Sequence, residues 1–474
     1  MSELGAALRD HVSLCDLPSF STGASFLDAN SQAHHKPLSA FGDLTDNARD
    51  AAATELWIDV MLGLHADRVC ITITDNGHGM SEHRLRTGIG GIAHSDKAHR
   101  AEVHYGMGAK SAMPRLSPSS LVFSKVGGMR TVALVSTTLS RTLGSHELKV
   151  PIATWPSSGD QLMSTTTAEA PLSHEARAKS LDVLLKHSPF LTKEELLAQF
   201  VSIPGDTGTR LVLYECDPAQ FDVSTVDDVH IGSAVGGTAV ADGDEFVAPH
   251  DNSLRSYLEV LYYSDSAWQP EMRIRLRGTL VPPRNWSAFL QHWPEDKESY
   301  AYTPQCLRGA GSSDADEKAY GSKVVFGTVE PLQEIISTLS ARVGGDVVAA
   351  KKRYLQGYTG VFYYNHDRLI LPLMLLPKQK EASKGNKMMT TEKRLTIYGT
   401  SVVGVCREGF LTPEHNKAGY EASSLMPRVY SPTLPLTLTL TLTLTQARSF
   451  EPSMYARPQR PSFQELHCKV RVSQ

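Results

Sequence analysis

Apolar positions recur with a helical period between residues 38 and 53, putting Phe41, Leu44, Ala48 and Ala51 or Ala52 on one side of a predicted helix that Pro37 opens. The period then shortens to two. "LWIDV" (56–60) and "VCITITDNG" (69–77) predict strands joined by a short polar turn. A glycine-rich stretch covers 77–108. "AKSAMPRL" then predicts a short helix, and "SLVFSKVGGMRTVALVS" a hairpin turning at Gly127-Gly128. Residues 173–200 predict a helix in two pieces, broken at Ser188-Pro189. "GTRLVLYEC" (208–216) returns to a strand, "SLRSYLEVLY" predicts a helix, and 254–280, 358–376 and 395–406 are strand-rich. The expected fold class is α/β (α+β): a sandwich of mixed order, not alternating βα units, with a domain boundary near residue 215.

After residue 425 the pattern degrades. "LPLTLTLTLTLTLTQ" is a two-residue repeat whose regularity fits low complexity better than a strand, so 426–474 is expected to be a disordered tail. No apolar run among the 474 residues reaches the twenty or so needed to cross a bilayer, and the first residues lack the basic start and apolar middle of a signal peptide, so an intracellular, non-membrane protein is expected. Six dispersed cysteines without CxxC or paired His spacing predict reduced thiols and no zinc module. The net charge of -4 does not invite nucleic acid globally. Locally, 211–254 carries no Lys or Arg and predicts an acidic insertion or linker over 216–251. "KQKEASKGNKMMTTEKR" (378–394) predicts a basic loop able to meet phosphates without regard to sequence.

Candidate chemistry begins in the first helix. Asp43, Asp46, Asn47 and Asp50 stand at i, i+3, i+4 and i+7, one polar stripe on a single face. Such a stripe is usually a solvated surface. Three like charges on adjacent turns repel by a few tenths of a kcal/mol per pair, however, and a cation or donor would remove that cost. Mg²⁺ suits the site because it binds through one or two oxygen ligands plus phosphates and waters. "TDNGHGM" (74–80) alone is equally a hairpin turn. Gly88, Gly90 and Ala93 match a GxGxxA pattern but follow a helix-like stretch, which argues against a dinucleotide fold. "HYGMGAKSA" (104–112) sets glycines before a helix start, where N–H groups can approach a phosphate, but Ala109 separates glycine from Lys-Ser and excludes a P-loop.

"DLTDNARDA", "DNGHGM" and "YGMGAKS", in that order and spacing, resemble the N-box and two glycine boxes of the GHKL ATPases. Within that superfamily the likeness is to the MORC ATPases of chromatin, through "HSDK" (94–97), "KHSPFLTKEELLAQF", "SLRSYLEVLY" with "RIRLRG", "GVFYYNHDRLI" and "GVCREGFLTPEHNKAGYE", spanning roughly residues 30–421. The resemblance implies an amino-terminal extension over 1–29, a Bergerat-fold ATPase domain over 30–215, and a ribosomal-S5-like transducer domain over 216–425. It implies ATP and Mg²⁺ as cofactors, with Asn47 on the metal and Asp75 on the adenine amino group. Gly77, Gly79 and Met80 would shape the base pocket. Ser95, Asp96 and Lys97 would form a lid, and Gly106, Gly108, Ala109 and Lys110 a phosphate cradle. Thr209 would support the adenine side. Lys417 of "PEHNK" would reach the γ-phosphate and, with Asp43, serve hydrolysis. Also implied are an ATP-dependent homodimer, action on DNA or chromatin in compaction and silencing, and a nuclear location.

Two departures from the pattern carry chemistry. The N-box position that holds Glu in the family is Asp43, one methylene shorter, so slow hydrolysis is expected. Val103 replaces the first lid glycine. The rival readings are an ATP-binding scaffold without turnover and another GHKL branch, of the chaperone or mismatch-repair type.

Overall fold

Pro37 supplies the φ of a first helical turn, and helix α1 runs Pro37–Asp50, ending where Ala52 turns to φ 55°. The computed structural model describes residues 19–23, 37–62, 68–90, 108–145, 147–232, 249–265, 271–289, 300–302, 322–328, 345–348, 360–374, 402–408, 413 and 417. The expected basic loop and low-complexity tail lie outside them.

The strands are β1 (Glu55–Met61), β2 (Val69–Asp75), β3 (Ser119–Val126), β4 (Met129–Ser136), β5 (Ile152–Pro156) and β6 (Gly208–Cys216), followed by β7 (Arg273–Leu276) and β8 (Thr279–Val281). They form one eight-stranded sheet in the order β8-β7-β1-β2-β6-β3-β4-β5. Its neighbours are antiparallel except for β7, which lies parallel to β1 with Ile274 opposite Leu56. The sheet therefore draws strands from both sides of residue 215. The β3–β4 hairpin turns at Gly127 and Gly128, both at positive φ, where a side chain would be strained.

Alternation along the strands feeds two cores. Val122, Ala133, Ile71, Ile73 and Leu213 face α1 and α3 (Gly108–Leu116). Leu121, Phe123, Val132, Leu134 and Val212 face the opposite layer, where α4 (His174–His187) and α5 (Lys193–Ala198) supply Val183, Leu184, Leu196 and Leu197. With both faces covered, β2 is buried along nearly its whole length. The two-piece helix breaks at Ser188, as expected, and Thr192 opens α5 with a capping box to Glu195.

A second sheet holds β9 (Tyr300–Tyr302), β10 (Ser322–Thr328), β11 (Gly360–Asn365), β12 (Arg368–Met374) and β13 (Val402–Glu408), in the order β9-β10-β13-β11-β12. Helix α6 (Leu254–Leu261) leads toward it: Tyr262 bridges Arg368, and the Tyr263 amide donates to the carbonyl of Asp367. The described part of the acidic stretch is more than solvated surface. Asp228 is buried, accepts from the Ser253 hydroxyl at 2.6 Å and the Arg255 amide at 2.9 Å, and so ties this segment to the start of α6. Among the described residues Cys70, Cys216 and Cys406 are buried thiols outside any disulfide. Among the described residues no helix is long and apolar enough to cross a membrane.

Candidate functional site

Helix α1 is buried on its polar side as well as its apolar one: Asp43 and Asp46 are 3% and 6% exposed. The solvated-stripe alternative is therefore set aside. The expectation that a metal relieves the repulsion also changes, because the chain supplies the cations itself. Arg368, at the start of β12, places Nε 2.9 and 3.1 Å from the two Asp46 carboxylate oxygens. Lys417 donates to Oδ2 at 2.6 Å, and the Tyr262 hydroxyl to Oδ1 at 2.7 Å. Burial works against a charge on Asp46, but Arg368 and Lys417 outweigh it and hold the carboxyl well below the usual range. Burial likewise opposes the Lys417 charge. Asp46 and Asp43 overcome it and raise this lysine above its ordinary value. Lys417 also has φ 49°, unusual for a residue with a side chain.

Gly42 makes this approach possible. A Cβ there would lie 2.4 Å from Nη2 of Arg368 and 2.6 Å from the Tyr257 hydroxyl. Nη2 is buried without a hydrogen-bond partner, 3.9 Å from Oδ1 of Asp43. The Nδ2 atom of Asn47 is also buried without a hydrogen-bond partner. With Asp46 engaged by three protein donors, Asn47 stands one turn along the helix from Asp43 with its amide nitrogen, a donor, unpartnered; a cation would need its amide oxygen. Among the described residues no three His, Cys, Asp or Glu side chains could hold a metal ion. A Mg²⁺ carried by one amide oxygen, phosphates and waters needs no such trio, so the donor set fits it.

The second box lies at the end of β2, against the exit of α1. Asp75 accepts from the Gly77 amide at 2.8 Å and stands opposite Thr209 across the β2–β6 ladder. Burial pushes its carboxyl up to about 6, against the pull of the Gly77 and Thr209 amides. A Cβ on Gly77 would lie 2.7 Å from the Ala51 carbonyl, and one on Gly79, at φ 69°, 2.1 Å from the Lys125 carbonyl. The glycines are thus required by backbone approaching backbone. The Met80 amide donates to Ser124 at 2.6 Å, and its side chain packs against the core beside α1. Gly108 and Ala109 open α3, which packs on α1, and Lys110 in its first turn is buried, which lowers its pKa. Ser95, Asp96, Lys97, Val103 and Gly106 lie outside the described residues.

Several side chains at the site had no role assigned from the sequence. Asn76 accepts from the Thr54 and Glu55 amides at 2.9 Å and so fixes the entry to β1. Arg368 sits inside a quoted motif, but its partner is 322 residues away. Gly42 offered the usable signal, since glycine inside a helix costs about 1 kcal/mol and marks a close approach.

The family profile described as histidine kinase-, DNA gyrase B- and HSP90-like ATPase matches residues 35–166, the span that contains all three boxes. Over 414 residues the chain is 27% identical to "MORC family CW-type zinc finger protein 3" of Mus musculus, covering 84% of this chain and 37% of that protein. It is 27% identical to "Protein MICRORCHIDIA 1" of Arabidopsis thaliana over 85% of this chain and 58% of the relative. With "ATPase MORC2" of Homo sapiens the identity is 26% over 68% of this chain and 30% of the relative. The chain thus spans about a third to somewhat over half the length of these relatives. With the profile on the sandwich that carries the three boxes, and the relatives running well past it, the chain holds a domain similar to the GHKL ATPases and resembles MORC-family proteins along most of its length.

Proposed function

We propose that this chain binds ATP with Mg²⁺ between α1, the β2 exit and the start of α3, and hydrolyses it slowly. The carrying observation is the meeting of Lys417 with the N-box helix at Asp46, which brings a late-chain cation to the helix bearing Asp43 and Asn47. Asn47 holds the metal and Asp75 receives the adenine amino group, with Thr209 behind it. Lys110, at the opening of α3, faces the phosphates with the helix terminus. Bound Mg²⁺ supplies charge neutralisation of the phosphates. Asp43 orients the attacking water, and its short side chain limits the rate: general-base help contributes about 10²- to 10⁴-fold, and about 1 Å of misplacement costs about 10²-fold.

The residues after 216 serve as the transducer that reports nucleotide occupancy through Lys417. On this reading ATP drives two copies together, on DNA or chromatin in the nucleus. The relatives named for MORC support that setting. Steady-state phosphate release tests the chemistry: wild-type turnover at least about tenfold above an Asn47→Ala variant, and faster still for Asp43→Glu, is expected. Wild-type turnover no greater than that of Asn47→Ala favours the second reading, an ATP-binding scaffold, for which the shortened Asp43 is the motivating feature.

A further inference from the structure

Asp46 carries two cations where one would neutralise it. Arg368 and Lys417 both reach Oδ2, at 2.9 and 2.6 Å, and all three charges are at least largely withdrawn from water. With Asp43 included, the cluster holds two acids and two bases and is balanced. Asp46 keeps Arg368 as its counter-ion when Lys417 is withdrawn, whereas removing Arg368 leaves Lys417 as the counter-ion it must retain. The two bases are not equivalent in how they are held. Arg368 contacts both oxygens of Asp46, donates to the Leu369 carbonyl, and sits in the space that Gly42 leaves open. Its backbone is tied to α6 through the Tyr262 bridge and the adjoining Asp367–Tyr263 bond. Lys417 is more exposed and grips Asp46 by its ammonium alone. The arginine is the built-in counter-ion, and the lysine is the one that can leave.

We propose that Arg368 is a positioning residue: paired permanently with Asp46, it forms the seat on which Lys417 rests beside Asp43 and from which Lys417 can move to a phosphate without stranding a buried charge. The proposal rests on the hydrolysis reading above for its kinetic consequence, but the seat itself exists without nucleotide. Arg368 touches neither substrate nor metal in this scheme and acts through Asp46.

Two measurements test it. In nucleotide-free protein, acylation of lysines read by mass spectrometry reports the seat directly. Lys417 is expected to react several-fold faster in Asp46→Asn than in wild type, and more slowly in Arg368→Met, where Asp46 is left to Lys417 alone, with exposed Lys186 unchanged as the internal reference. Equal Lys417 reactivity in all three proteins overturns the seat. In turnover, Arg368→Met is expected to lower kcat roughly 10- to 100-fold, the scale of a misplaced catalytic group, while the calorimetric Kd for ATP stays within about threefold. Arg368→Lys should recover part of the loss. In a Lys417→Ala background the same Arg368→Met change should cost no more than about twofold, because the two residues act as a unit. A full, multiplicative loss in that background overturns positioning through Lys417. If Arg368→Met fails to fold, Arg368→Lys and Asp46→Asn carry both measurements. Absence of wild-type turnover with the labelling result intact would remove hydrolysis and leave the seat standing.

Discussion

Asp75 sets a pH dependence at the level of a single residue. Its carboxyl is pushed up to about 6 by burial, above an unfolded value of about 3.9, so the native state holds it protonated longer than the unfolded chain does. A raised acid of this kind penalises the fold when it ionises. The penalty is absent below about pH 4, grows between about 4 and 6, and is complete above about 6. Asp75→Asn should therefore raise stability at pH 7 by roughly 1–3 kcal/mol in urea unfolding. The same change leaves one amide oxygen, which the Gly77 amide takes, and puts an NH₂ donor where the other carboxylate oxygen would meet the proposed adenine amino group, so ATP affinity should fall at least about tenfold by calorimetry. In wild type, affinity should decline as pH drops through about 6, and the Asp75→Asn variant should lack that decline. A residue that costs stability and is kept beside two obligatory glycines is what a binding role predicts.

At the level of elements, the buried pair of Glu82 and Arg177 fixes α2 (Glu82–Gly90) to α4 and the sheet. Both side chains have no exposure, and they meet at 2.9 Å. Glu82 also accepts from the Thr154 hydroxyl at 2.6 Å and the Leu172 amide at 2.7 Å. Arg177 donates to the carbonyls of Met163, Thr165 and Ala170. Both charges are met, so the network holds its geometry, and removing one member should be costly. Glu82→Ala is expected to lose about 3–5 kcal/mol in chemical unfolding, because Arg177 would remain buried without its acid. Glu82→Gln, which keeps the volume and one acceptor, should lose less. Since α2 follows directly on the first glycine box, Glu82→Ala should also weaken ATP binding more than an equally destabilising change in α5 would. Equal effects on affinity would detach α2 from the site.

Across the whole molecule, the proposed coupling runs from the N-box helix to the second sheet through the cluster at Asp46. Nucleotide-dependent association should then be visible as a shift to dimer in size-exclusion chromatography with a non-hydrolysable ATP analogue. The shift should be reduced in Lys417→Ala, whereas unchanged monomer at saturating analogue would remove the clamp. Contact with DNA, if it supports the proposed setting, should weaken steeply with salt: a protein neutralising several phosphates loses orders of magnitude in affinity between about 50 and 200 mM salt. Salt-insensitive or absent binding would separate this chain from a chromatin role.

The amino-acid pattern alone determined the pieces whose signals are local. These are α1 from its helical period, the β3–β4 hairpin from Gly127-Gly128, the break after α4 from Ser188-Pro189, and the order of the three boxes. In each, neighbours within a few residues set the backbone. It also supplied the inventory of acids on one helix face, but not their environment. Only the tertiary structure decided that β7 joins the first sheet beside β1, and that Asp46 is neutralised by Arg368 and Lys417, 322 and 371 residues further along the chain. A charge's cost depends on its burial and on the distance to its counter-ion, and chain folding sets both at separations that no local period encodes.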